Sequence, residues 1–214
     1  MPRPSRNIDQ QLLAAGRELI ALTGCRGFSV RQLADRAGVN LGMFHYHFKT
    51  RENFCRRALA SLYEEMFVQL AQSAAAGDDT VEHLRQALTV MGRFVRDNRP
   101  ILGQLLLDAL AGETLVVEFL AESLNRNLGV MRRLIEQAQA AGRFKPLPLV
   151  QVFGLLMGSV NAPILIGGTI AAQPWAPSLF AHAQEELLSD EAIAMRIDLV
   201  LSALAIPSAS GSPA

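Results

Sequence analysis

Residues 29–54 read SVRQLADRAGVNLGMFHYHFKTRENF, and the turn chemistry in this stretch decides the fold of the N-terminal part. Ser29 is a favoured N-cap. Gln32, three residues on, reaches back to the cap's own amide, so Ser29-Val30-Arg31-Gln32 is a capping box that opens a helix. Val30, Leu33, Ala34 and Ala37 recur at helical spacing and form its buried face. Gly38 supplies the left-handed backbone that ends this helix, Val39 plugs the turn, and Asn40 caps again. The next helix, residues 41–48, is only two turns long. It carries Gly42, which lowers helix propensity but removes bulk where a backbone has to approach DNA closely. Thr50 caps a third helix, with Glu52 in its positive first turn. With Ala34 at the crossing and Phe44 anchoring the second helix, this is the arrangement that sends a helix into the major groove. The stretch predicts a DNA-reading helix-turn-helix.

Charge supports that reading, although the whole-chain balance hides it. Residues 1–58 hold Arg3, Arg6, Arg17, Arg26, Arg31, Arg36, Lys49, Arg51, Arg56 and Arg57 against Asp9, Glu18, Asp35 and Glu52, a net of +6. The full chain of 214 residues has 20 basic and 20 acidic residues, so the remainder carries −6. A basic head on an acidic body suits a DNA reader joined to a body that binds a neutral ligand or a protein. The competing reading is a solvated helical surface with accidental asymmetry.

Beyond the head the periodicity stays helical and strand signals are absent, so the fold class is all-α. One long helix is expected over 50–76, with Phe54, Ala58, Leu62, Met66 and Leu70 on one stripe and Gly77 and Asp78 interrupting it. A second spans 80–98, with Leu84, Leu88, Met91 and Val95 inward. Pro100 starts a short apolar helix to 111. Residues 113–141 form another long amphipathic helix, with Val117, Leu120, Leu124, Leu128, Met131 and Ile135 inward and Gly142 ending it. Pro146 and Pro148 mark a turn before a helix over 149–172. A loop through Pro174 and Pro177 leads to a last helix over 190–205. Residues 2–5 read as a short basic arm, and 207–214 as a disordered Ser/Pro/Gly/Ala tail. The domain division is 1–54 for the DNA-binding head and 55–206 for a helical ligand-binding and dimerisation body.

From Pro146 to Gln184 there is no Asp, Glu, Lys or Arg, and residues 149–172 are long enough to cross a bilayer. A membrane span and a buried interface helix both fit an all-round apolar helix. Gln151, Ser159, Asn161, Pro163, Gly167, Gly168 and Thr169 lower the hydrophobicity and favour the interface. Gly154 and Gly158 put small residues four apart, which allows a partner helix to come close. No membrane association is expected.

Cys25 and Cys55 are the only cysteines, which is no disulfide framework, and no secretory signal opens the chain. A cytoplasmic location and ordinary packing of both thiols are expected, a redox pair within the head being the alternative. His45 and His47 stand two apart on a helix and point in different directions, unlike the i, i+4 pair that holds a metal. His83 and His182 are isolated. There is no phosphate loop, nucleophile elbow or metal-spaced Cys/His cluster, so neither an enzyme, a cofactor nor a metal is predicted.

These residues resemble the TetR family of bacterial transcriptional regulators. Residues 8–24 look like the family's first helix, Gly27-Phe28-Ser29-Val30 like the entry to the second, residues 41–47 like its recognition helix, and Phe48-Lys49-Thr50-Arg51-Glu52 like the turn into its long linking helix. The chain departs from the family where it has His45 for the usual Tyr and Arg51 for the usual Lys. Both replacements keep a donor able to meet a phosphate. The resemblance implies a homodimer reading a palindromic double-stranded DNA operator, most simply a repressor released by a small apolar ligand. Helix direction together with the resemblance assigns base edges to Arg31, Leu41, Met43 and Tyr46, and phosphates to Ser29, Asn40, His45, Lys49 and Arg51. It also implies that the 149–172 helix joins the last helix in a dimeric four-helix bundle. Candidate pocket residues are Phe67, Met91, Phe94, Leu105, Phe119, Met131, Phe153 and Met157, each with core packing as the competing role. Asn161 is a candidate polar anchor, near a kink expected at Pro163; satisfying freed carbonyls or pairing with its twin across a dimer are the alternatives. A helix-turn-helix regulator with a membrane-anchored or protein-binding body, lacking a small-molecule pocket, is the runner-up.

Overall fold

A computed structural model describes residues 5–73 and 79–207. The expected break at Gly77 and Asp78, most of the N-terminal arm and all but Pro207 of the tail lie outside the described residues. Among the described residues the chain is helical throughout, with no strand and one isolated bridge between Phe144 and Ala205. The helices are α1 (Ser5–Thr23), α2 (Val30–Ala37), α3 (Leu41–His47), α4 (Arg51–Ser73), α5 (Thr80–Asp97), α6 (Arg99–Leu110) and α7 (Thr114–Ala140). They are followed by α8 (Leu149–Ala162), a π turn (Pro163–Gly167), α9 (Gly168–Ala171), a 3₁₀ turn (Ser178–Phe180), α10 (Ala183–Glu186) and α11 (Asp190–Leu204).

The chain divides into two compact units. The first takes in residues 1–65 and 98–124, so the helix-turn-helix shares its unit with α6 and the start of α7. Its centre is an aromatic cluster. Phe54 meets Phe28 edge-on at 6.3 Å and Phe48 at 4.9 Å, and lies 5.8 Å from Phe44, all of these rings being buried. Gly16 on α1 passes directly over Phe54, where an added Cβ would stand 2.1 Å from the ring, so the absence of a side chain lets α1 close the cluster. The linker between α1 and α2 is fastened to α6 and to the turn before α7: the Cys25 amide donates to Asp108 at 3.1 Å, and Arg26 pairs with Glu113.

The second unit comprises residues 66–97 and 125–214. Here α5, α8 and α11 pack together around Leu84, Leu88, Val152, Leu156, Ile193 and Ile197, joined by Met131 and Ile135 of α7. Gly92 allows the close approach, because a Cβ there would lie 3.0 Å from Ile193 and 3.3 Å from Val160. Arg93 and Arg96 of α5 both bind Asp190 at the start of α11, at 2.7 and 2.5 Å. The Lys145 amide donates to Leu204 O at 2.9 Å, tying the turn before α8 to the end of α11.

Two expectations need correction. The inward stripe of α7 does not begin at Val117: Val117 and Leu124 are exposed, while Leu115, Val116, Phe119, Val130 and Leu134 are buried. Apolar residues fall on more than one face of Leu-Val-Val-Glu-Phe-Leu, so spacing alone admits two phases there. The region between Pro174 and α11 is also more regular than a plain loop, since it holds the 3₁₀ turn and α10. Units this short show no periodicity.

Candidate nucleic-acid interface

The capping box forms as the sequence dictates. Gln32 N–H donates to Ser29 Oγ at 3.2 Å, and Ser29 N–H donates to Gln32 Oε1 at 2.8 Å. Gly38 is left-handed (φ 66°, ψ 29°), and its amide returns to α2. The Asn40 side chain then caps α3 by accepting from the Gly42 amide at 2.8 Å. Phe44 and Phe48 turn inward, which leaves the opposite side of α3 free. Thr50 Oγ1 accepts from the Asn53 amide at 3.1 Å to open α4. Lys49, between the two helices, is left-handed at φ 66°, a position that favours glycine.

Arg31, Leu41 and Tyr46 are exposed, Tyr46 to 67%, and Met43 is half-buried. Ser29, Asn40, His45 and Lys49 are exposed as well. Arg51 is engaged within the protein. Its Nη1 donates to the carbonyls of Arg26 and Phe28 at 3.2 and 3.4 Å, bracing the entry to α2. His45 Nδ1 lies 3.3 Å from the Lys49 carbonyl. Much of the basic charge counted in the head is likewise held internally. Arg36 binds Glu18, Arg56 binds Glu118, Arg17 donates to Ser61, and Arg57 lies over the Phe48 ring at 5.3 Å. Among the described residues Arg31 and Lys49 make no ion pair, so their charge is available to a ligand. A linear charge count could not separate these groups, because the acids Glu113 and Glu118 come from sequence far downstream.

In the body, Met131 is fully buried in the core of the second unit, and Phe67, Met91, Phe153 and Met157 pack partly buried against that core. Phe94 and Asn161, also in this unit, are half-buried. Leu105 and Phe119 belong to the first unit, where Phe119 meets Tyr63 edge-on at 5.2 Å; burial holds the Tyr63 hydroxyl up at about 12. Arg126, which sequence reasoning passed over, stands 3.4 Å above the Phe67 ring. Phe153 also lines an open groove of about 460 Å³ with Leu128, Leu149 and Val150. Gly154 and Gly158 are exposed, and a Cβ at either would meet no atom of its own chain within 4 Å.

A family model for bacterial regulatory proteins of the tetR family matches residues 12–58, which span the helix-turn-helix just described. The chain is 24% identical to the "Probable HTH-type transcriptional regulator YttP" of Bacillus subtilis (strain 168) over 170 residues, covering 77% of this chain and 82% of that one. The head is a TetR-family DNA-binding domain. The chain is further similar to the HTH-type transcriptional repressor KstR2 of Rhodococcus jostii (strain RHA1), 29% identical over 79 residues, or 37% of this chain and 39% of that one. The TetR-family fold extends through the body. The structure of the ketosteroid transcriptional regulator KstR2 of Mycobacterium tuberculosis superimposes with a TM-score of 0.69 at 16% identity, covering 96% of this chain and 98% of that one.

Within the TetR-family head, the two departures from the usual residues have different structural settings. His45 remains on the exposed side of α3, with its Nδ1 beside the Lys49 carbonyl. Arg51 is longer and forked where the family usually has a lysine, and it uses that fork on two backbone carbonyls.

Proposed function

We propose that the protein is a TetR-family regulator, a cytoplasmic homodimeric repressor that reads a palindromic operator and releases it on binding a small apolar ligand in the body. The observation that carries the dimer is the uncovered apolar face of α8 and α11. Val150 and Leu155 on α8 and Met195 and Leu199 on α11 are large and exposed, Val150 to 74% and Leu199 to 64%. Leu155 and Leu199 line one shallow groove, and exposed apolar surface of this kind marks an interaction site. Repression is the sense carried by the Rhodococcus relative, which is similar over 79 residues. In this reading Arg31, Leu41, Met43 and Tyr46 meet base edges, and Ser29, Asn40, His45 and Lys49 meet phosphates. Arg51 contributes at the phosphates while holding the α1–α2 linker. The half-buried Phe67, Met91, Phe153 and Met157 supply the ligand's apolar wall.

The ligand response follows if the ligand prefers a head spacing that does not fit the operator. Selection of bound fragments from genomic DNA by the purified protein, with sedimentation of the complex, tests the reading. A palindromic consensus bound by two chains is expected, and an asymmetric site bound by one chain would refute it. A second reading is a body anchored in a membrane. It is favoured by the stretch Leu149–Ala171, within which an 18-residue window has a mean hydropathy of 1.8 with only 22% of it buried within the chain. Fractionation separates the two: recovery of the protein in the membrane pellet would favour the anchor.

A further inference from the structure

Asn161 lies on α8 one turn after Met157 and just ahead of the π turn at Pro163–Gly167. Its Nδ2 donates to Met157 Sδ at 3.3 Å. A thioether sulfur accepts hydrogen bonds and has none to donate, so this contact fixes which way the amide faces. Oδ1 therefore points elsewhere, and it is buried without a hydrogen-bond partner among the described residues. Buried acceptors are rarely left in that state, and such an atom calls for a donor. Pro163 has no amide hydrogen to offer, and π turns within helices recur at functional sites.

Phe153, Met157 and Asn161 follow one another every fourth residue and so run along one side of α8. Phe153 opens onto the 460 Å³ groove, whose wall is apolar apart from Asn125 and Arg132, and Arg132 is bound to Glu136 at 2.8 Å. Phe153 and Asn161 are about 12 Å apart along the helix axis at the α-helical rise. No Asp, Glu, Lys or Arg occurs anywhere from Pro146 to Gln184, so α8 offers no charged partner for an ionised ligand.

We propose that Asn161 Oδ1 accepts a hydrogen bond from the hydroxyl of an uncharged, elongated apolar ligand whose chain lies along Met157 and Phe153. This rests on the reading of the body as a receptor for apolar ligands, and it narrows that ligand to hydrogen-bond donors. An ether or ketone of the same size would set lone pair against lone pair at Oδ1 and be rejected.

The test compares 1-octanol with its isomer heptyl methyl ether, which has the same atoms but no O–H, by calorimetric titration into the full-length protein. Wild type should bind the alcohol about tenfold more tightly, the value of about one hydrogen bond. Asn161→Leu should bind the two isomers alike and keep its operator affinity. Asn161→Ala serves if the leucine variant does not fold, and the wild-type comparison stands without either. Equal binding of both isomers by wild type would overturn the donor assignment while leaving an apolar receptor intact. Binding of neither would overturn both readings. A preference for the alcohol that survives in a folded variant would move the acceptor away from Asn161.

Discussion

The carboxylate of Asp108 accepts the backbone amide of Cys25 at 3.1 Å, and Gly24, one residue earlier, is left-handed at φ 74° with its missing Cβ aimed at that same carboxylate, 2.6 Å away. The bond ties α6 to the linker that leads into the DNA-reading helices. Gln104 steadies the second carboxylate oxygen at 2.9 Å.

Gly24→Ala should therefore be among the most damaging small substitutions in the head. Left-handed backbone costs an alanine about 1–2 kcal/mol before any clash is counted. Asp108→Ala removes the acceptor and leaves the Cys25 amide unpaired, at a cost of about 1–3 kcal/mol. Urea denaturation should place both variants below wild type, with Asp108→Asn between Asp108→Ala and wild type, because its amide oxygen can still accept.

Arg31→Ala should cost about 1–3 kcal/mol of operator binding and relax the preference at one base pair. Lys49→Gly should weaken all sequences alike and flatten the salt dependence, since it deletes a phosphate contact. The same change relieves the left-handed strain at residue 49, so stability should hold while affinity falls. Binding curves at several salt concentrations, set beside a denaturation midpoint, separate these effects. An unchanged sequence preference in Arg31→Ala would remove that residue from base reading.

Gly158→Leu starts its new side chain in open space, because Gly158 is exposed and no atom beyond its own turn of helix lies within 4 Å of the added Cβ. Any failure of this variant thus reports on a partner. We expect it to sediment as a monomer or to aggregate, and to lose operator binding in parallel. An unperturbed dimer with wild-type affinity would take this part of α8 out of the interface.

Hydrogen bonds from Arg96 and then Arg93 hold the Asp190 carboxyl below its ordinary range. A carboxylate with a depressed folded pKa stabilises the protein above the unfolded pKa, about 3.9, and that contribution is lost as pH falls through the lower folded value. Asp190 is 48% exposed, so the pair contributes at most about 1 kcal/mol. Asp190→Asn should be slightly less stable than wild type at neutral pH, and thermal midpoints of the two should converge in strong acid.

Cys25 and Cys55 are both buried, and hydrogen bonding to Cys55, burial and nearby carboxylates raise the Cys25 thiol well above its usual range. The thiolate is the reactive form, so alkylation by iodoacetamide near neutral pH should be slow in the native protein and rapid in denaturant. Fast native labelling of Cys25 would contradict the packing described for it.

The head was legible in the sequence because its signals are local. A cap such as Ser29, its partner Gln32, the glycine at 38 and the second cap at Asn40 each act within a few residues, so spacing alone fixes them. The buried stripe of α4 was legible for a related reason, since Phe54, Ala58, Leu62, Met66 and Leu70 recur every fourth residue and all are buried, with Val68 left exposed off the stripe. On α7 apolar residues occupy two faces, and only packing selects Val116 and Phe119 over Val117. The left-handed turn at Lys49 gave no signal, since a glycine would normally mark it. Nor did the engagement of Arg51 with the Arg26 and Phe28 carbonyls, which depends on residues brought together by the fold. Asn161 stood out in the sequence as a polar residue on an apolar helix. The orientation of its amide became readable only once Met157 was seen to take the other end.

The charge-free stretch around α8 also governs how the protein comes apart in a protease. Trypsin cuts after Lys and Arg but not before proline, and Lys145 is followed by Pro146, so cleavage passes from Arg143 to Arg196 without a stop. The basic head is reduced to short peptides, while α8, the π turn and the chain's single tryptophan, Trp175, leave together in one ultraviolet-absorbing fragment. A covalent cross-link or photolabel placed on α8 is thereby recovered on a single, spectroscopically marked peptide.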